Sequence, residues 1–166
     1  MNWRQGISAA AVAVAICGAA GAAQAQTTVK HIQTATSPIA TAVWAGDTLY
    51  VSGQLASPVT PADPAKGTPA VYGDTKAQTA STIQKIQAIL KEQGLTLGDV
   101  VMMHVYLAGD PNNGGKLDFA GLQAAYTQYF GTSDQPNKPA RAAFQVAALA
   151  APWALVEIEV IAVRSK

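Results

Sequence analysis

Leu155-Val156-Glu157-Ile158-Glu159-Val160-Ile161-Ala162-Val163-Arg164 holds most of an expected β-strand, Ala154 to Val163, of period two. Val156, Ile158, Val160 and Ala162 share one face and should meet a helical layer. Leu155, Glu157, Glu159 and Ile161 share the other face, which is neither fully apolar nor fully polar. Only 13% of the chain is charged, so two glutamates in one strand call for a partner or a use. Before it come Pro139-Ala140-Arg141 and a mostly apolar run, and Arg141 to Leu149 reads as another strand. There Arg141, Ala143 and Gln145 share one face, and Ala142 and Phe144 the other. The two strands are expected to form an antiparallel pair.

Working outward, Val29 to Thr34 is a candidate first strand. Thr41–Ala45 and Thr48–Ser52 flank Gly46-Asp47 as a hairpin. Asp74 or Thr75 can cap a helix whose apolar residues Ala77, Ala80, Ile83, Ile86, Ile89 and Leu90 recur every three or four positions. Gly94 ends it. Val100 to Ala108 is a strand, and Leu117 to Phe130 a second amphipathic helix with an aromatic stripe. Strands, helix, strand, helix, strands is the order of an α+β sandwich, a mixed sheet with both helices on one face. The half-apolar second face favours a homo-oligomer that covers it. The Pro-rich stretch 57–69 is a loop within the single domain, long enough to suggest a functional or interface role.

Residues 1–25 read as a signal peptide, and residues 26–166 as one domain. Arg4 opens it, an apolar run from Ile7 to Ala20 follows, and Ala23-Gln24-Ala25 is a small-x-small cleavage site. The run is shorter than the ~20 residues of a membrane span. Cys17 could mark a lipoprotein, but Ile16 stands where a small residue is wanted. Periplasmic or secreted localisation follows, with no membrane attachment after cleavage. Cleavage removes Arg4 from the 11 basic residues, which leaves ten against 10 acidic ones, and removes the one cysteine. A balanced charge gives no footprint for nucleic acid. Without cysteine there is no disulfide framework, thiolate nucleophile or zinc–cysteine site. His31 and His104 lie far apart in sequence with no metal-ligand spacing, and His104, in an apolar strand, is expected to be a satisfied core residue.

Two readings stand for Arg141. Its fork can clamp a carboxylate in bidentate geometry, or it can pair with Glu157 or Glu159 and only lock the sheet. Glu157 likewise is either a base or a solvated or salt-bridged strand residue. Ser52-Gly53 is ordinary turn chemistry by itself.

The blocks taken together resemble the Rid/YjgF family, the reactive-intermediate (enamine/imine) deaminases. Pro139-Ala140-Arg141 followed by Val156-Glu157-Ile158-Glu159 and Ile161-Ala162 is similar to the family signature. Gly46 through Gln54, ending in Ser52-Gly53-Gln54, resembles its N-terminal strand. Gly94 to Val101 resembles its helix-to-strand junction, and Phe119 through Phe130 its second helix. The resemblance implies a homotrimer with packed sheets and clefts between subunits. It implies that Arg141 binds a substrate carboxylate, that Glu157 activates the attacking water, that Ser52 lines the pocket and that Glu159 is structural. Gln123 replaces a family asparagine, Ala143 a cysteine and Ile39 a tyrosine, so the walls of the pocket differ from the usual ones. The implied reaction is hydrolysis of a short 2-imino (enamine) acid of the 2-iminobutanoate/2-iminopropanoate type to a 2-oxo acid and ammonia, with no cofactor and no metal. The rival is a trimeric module that binds small carboxylates without turnover. A ribonuclease reading lacks a basic patch to support it.

Overall fold

The computed structural model describes residues 27–165. The expected leader, residues 1–25, lies outside the described residues. The expected α+β architecture is present: a six-stranded mixed sheet with two α-helices on one face. In chain order the strands are β1 (Val29–Ile32), β2 (Ala42–Ala45), β3 (Thr48–Leu55), β4 (Val100–Leu107), β5 (Ala140–Gln145) and β6 (Val156–Val163). The helices are α1 (Thr75–Glu92), between β3 and β4, and α2 (Phe119–Tyr126), between β4 and β5.

Across the sheet the order is β1-β2-β3-β6-β4-β5. β5 runs parallel to β4, and every other pair is antiparallel. The expected pairing of the last two strands is therefore corrected: β6 lies between β3 and β4, and β5 is an edge strand on the far side of β4. The physical reason is the crossover. A helix between β4 and β5 carries the chain back along the sheet, so β5 starts at the same end as β4 and runs parallel to it. β6 then takes the central place, where one of its faces is wholly buried.

That buried face is the expected one. Val156, Ile158, Val160 and Ala162 are buried and pack with Met103, Val105 and Leu107 of β4 and Leu49 and Val51 of β3. Ile83, Ile86 and Leu90 of α1 and Leu122 and Tyr126 of α2 close the core from above. Asp74 caps α1, its carboxylate accepting the Ala77 N–H at 2.8 Å. The first turns of α1 depart from the expected Ala stripe. They bury Gln78, Thr79 and Thr82 instead. Gln78 donates to the carbonyls of Gly73 and Trp153 and accepts from the Leu155 N–H, so it fastens two loops to the helix. α2 is shorter than its periodicity predicts, because turns replace helix after Tyr126.

Among the described residues, the opposite sheet face carries no helix. Tyr50 and Phe144 are 49% and 46% exposed on it, beside Ile161, His104, Tyr106, Glu157 and Glu159.

Candidate functional site

Arg141 opens β5 and shares its strand face with Ala143. Its Cα partner on β4 is Met103, a core residue, so its side chain lies on the helical face of the sheet. There α2 presents Phe119, Gln123 and Tyr126 at positions i, i+4 and i+7, one side of a helix. Arg141 Nη2 donates to Gln123 Oε1 at 2.5 Å. The guanidinium carbon lies 4.2 Å from the Tyr126 ring centroid and 5.9 Å from that of Phe119. Both rings offer cation–π attraction and hold the planar fork in one orientation. Burial pushes the Tyr126 phenol above its ordinary value, against the opposing pull of Arg141. Arg141 Nη1 is buried and has no hydrogen-bond partner among the described residues. A charged donor held without an acceptor is costly. It suits a site that an anion completes. Ala143 packs against the core and leaves the wall beside Arg141 small.

A second set of residues sits on the other side of the sheet. Between Val51 and Gln54 the β3–β6 register slips, so that β3 holds one residue more than β6 over that interval. The result is a β-bulge at Ser52-Gly53, a device that re-aims side chains at sheet sites. The Ser52 hydroxyl donates to the Ala40 carbonyl at 2.7 Å, and the Ser52 carbonyl accepts from Gln54 Nε2 at 2.9 Å. The Glu157 carboxylate lies against Gly53, where a β-carbon would overlap it. Glu157 forms no hydrogen bond or ion pair among the described residues. Ile39, beside the Ala40 carbonyl that anchors Ser52, is 62% exposed.

Glu159, two residues along the same face, is engaged through one of its oxygens. One oxygen, Oε1, lies 2.9 Å from His104 Nδ1 and 2.9 Å from the Tyr106 hydroxyl. The bond to Glu159, and then burial and the charges of Glu159 and Glu157, raise the Tyr106 phenol above its ordinary value. His104 is thus a satisfied histidine, as expected, but it is half-buried on the open face and not in the core.

The structure therefore brings Arg141, Gln123 and Ala143 together on one face, and Ser52 and Glu157 together on the other. It does not bring the two sets together within one protomer. The ion pair of Arg141 with Glu157 or Glu159 does not form, because the sheet separates them. Sequence reasoning missed Gly53, Phe119, Tyr126 and Tyr106. The helical spacing of Phe119, Gln123 and Tyr126, and a glycine inside a strand, were signals that could have found three of them.

A family model described as endoribonuclease L-PSP matches residues 24–164. The chain is 42% identical over 125 residues to a RutC family protein of Pyrococcus abyssi, covering 75% of this chain and 85% of that one. It is 40% identical over 130 residues to a 2-iminobutanoate/2-iminopropanoate deaminase of Bos taurus, covering 78% and 82%. Among solved structures, E. coli TdcF with bound serine superposes with a TM-score of 0.62 at 32% identity, covering 82% of this chain and 99% of that one. The E. coli YjgF gene product gives a TM-score of 0.62 at 33% identity, covering 82% and 99%.

Proposed function

This chain belongs to the endoribonuclease L-PSP family, the YjgF/RutC/Rid proteins, and on that premise we propose that it hydrolyses short 2-imino acids to 2-oxo acids and ammonia at clefts between the subunits of a homotrimer. One observation carries the proposal. Each sheet face holds half of a site, and each half ends in an unpartnered group, Arg141 Nη1 on one and the Glu157 carboxylate on the other. An assembly that apposes the helical edge of one subunit to the open face of the next joins the halves. The same contact covers Tyr50, Ile161 and Phe144.

In the joined site Arg141 holds the substrate carboxylate, with Gln123 and the two α2 rings keeping the fork in place. Ala143 and Ile39 form side walls, and the Ser52-Gly53 bulge brings backbone groups to the imine. Glu157 takes a proton from water as its oxygen adds to the imine carbon. Glu157 returns that proton to the nitrogen, the added hydroxyl gives up its own proton to water as the C–N bond breaks, and ammonia leaves behind a carbonyl. The protonated imine is already an electrophile, so these steps ask for no cofactor or metal.

Support for turnover comes from the relatives named as imine deaminases at 40% identity. A relative solved with bound serine favours the second reading, a binding module for small carboxylates. The two part on one assay. An amino-acid oxidase generates the imine in place and its decay is followed with and without the protein. Faster decay with release of ammonia supports the deaminase. Unchanged decay, with a 2-oxo acid still bound, supports the module. The family's description as an endoribonuclease finds little support in a mature charge near zero. Export to the periplasm or beyond, with Gln26 as the mature N-terminus, rests on the leader pattern of residues 1–25. N-terminal sequencing of the exported fraction tests it, and a retained Met1 or a lipid on Cys17 overturns it.

A further inference from the structure

Tyr106 stands directly across from Glu157 in the β4–β6 ladder, and His104 stands across from Glu159. Cross-strand partners have Cβ atoms about 5 Å apart. A phenol in that place is within easy reach of the carboxylate facing it. Yet the Tyr106 hydroxyl reaches diagonally and donates to Glu159 Oε1. His104 Nδ1 meets the same oxygen from the other side. Phe144 meets the Tyr106 ring edge-on, with centroids 5.3 Å apart at 90°, and steadies it from β5. Tyr106, Glu157 and Glu159 line one groove of about 370 Å³, so all three share the space in which Glu157 is to act.

We propose that Glu159 is a positioning residue for Glu157: by accepting the Tyr106 hydroxyl it keeps that hydroxyl off the neighbouring carboxylate and leaves Glu157 a free base. This rests on the reading of Glu157 as the base. Its physical content is simple. A hydroxyl donated to a carboxylate stabilises the charged form, lowers its basicity and occupies a lone pair that water needs. Two carboxylates lie within reach of one phenol, and only the one that does not take the proton is to do chemistry. His104, directly across the ladder from Glu159, supplies a second donor that holds Glu159 Oε1 in place. The raised phenol keeps its proton through neutral pH, so the arrangement persists across the working range. The other titratable group that faces this cluster is Tyr50 on β3, which lines a depression with His104 and Glu159. β5 contributes Ala142 and Phe144, neither of which titrates.

The test is a rescue. In Glu159→Ala the Tyr106 hydroxyl loses its acceptor and turns to Glu157. A hydrogen bond to a charged group is strong enough to lower kcat roughly 10- to 100-fold. KM is expected to stay within about twofold, and the acidic limb of the kcat–pH profile to move to lower pH. Adding Tyr106→Phe to the same chain removes the intruding hydroxyl and restores most of kcat, together with the position of that limb. A structural role for Glu159 moves the other way, since the double variant loses a further polar contact and falls below Glu159→Ala. That result overturns the proposal. Bound 2-oxo acid and the mass of the assembly show that the variants keep the site. Should Glu159→Ala fail to assemble, Glu159→Gln takes its place. Its amide oxygen still accepts, so kcat falls less than about fivefold, and a fall beyond about tenfold overturns the proposal. A wild type without turnover, or Glu157→Gln with full turnover, overturns the assignment of the base itself. A failed rescue with Glu157→Gln inactive overturns only the role of Glu159.

Discussion

The Glu157 carboxylate lies against Gly53 across the β3–β6 ladder, with no space between them for a β-carbon. The atoms such a carbon would meet are the far end of a flexible, half-exposed side chain. Gly53→Ala therefore displaces the carboxylate and not the backbone. Stability is expected to change by less than about 1 kcal/mol, because the side chain can swing into open space. Turnover is expected to fall at least about tenfold, because the carboxylate proposed as the base no longer points where the bulge aims it. Thermal melting and imine-hydrolysis kinetics on the same preparation check both parts. A melting temperature that collapses along with activity would show that the glycine serves the fold alone.

Glu157→Gln separates binding from chemistry. The amide nearly preserves shape and cannot take the proton. Turnover is expected to fall at least ~100-fold, while a plain 2-oxo acid binds as it does to the wild type. Calorimetric titration beside the kinetic assay reads the two. Full imine hydrolysis by this variant would remove Glu157 from the role of base.

What the sequence made legible follows from what is local. The alternation in Val156–Val163 is a property of eight consecutive residues, and the buried set came out as Val156, Ile158, Val160 and Ala162. The cap at Asp74 is decided within one turn, and it too is where expected. The partner of β5 is not local. Adjacency in sequence favours a hairpin of β5 with β6, yet ten residues separate the strands, and α2 has already set the direction of β5 against β4. Faces suffer the same limit. Strand period places Arg141 with Ala143 and Glu157 with Glu159, but only the packing of the sheet tells that the two pairs look in opposite directions. The bulge at Ser52-Gly53 is likewise a product of register between β3 and β6.

Ile161 pairs with Tyr50 on the open face, opposite the face that α1 and α2 cover. Ile161→Lys leaves an isolated protomer almost unaffected, since the new ammonium can stay in water. In an assembly that buries this face, the unpaired charge costs several kcal/mol. The variant is expected to give a monomer mass by light scattering at micromolar concentration. Imine hydrolysis is expected to vanish with the assembly, because the two halves of the proposed site lie on opposite faces of one protomer and meet only between subunits. A variant that remains trimeric would place the subunit contact elsewhere on the surface.

Arg141→Lys tests the fork itself. The native guanidinium spends Nη2 on Gln123, lies over the Tyr126 ring and keeps Nη1 without a partner. Lysine keeps the charge but has a single nitrogen, which cannot hold Gln123 and a carboxylate in the same planar geometry. Loss of one charge-assisted contact costs about 2–3 kcal/mol, or roughly 30- to 150-fold in kcat/KM. Unlike Glu157→Gln, this variant is expected to lose 2-oxo acid affinity and rate together, because the carboxylate anchor serves ground state and transition state alike. The binding-module reading gives a different pattern: no wild-type turnover, and carboxylate binding lost with Arg141 alone. A purely structural arginine gives a third, a lowered melting temperature with unchanged ligand affinity in the folded fraction. Titration of a 2-oxo acid into wild type, Arg141→Lys and Glu157→Gln, with melting curves for each, distinguishes the three. Retained affinity in Arg141→Lys would mean that the carboxylate is held elsewhere, and that the Gln123–Arg141–Tyr126 cluster only joins α2 to the sheet edge.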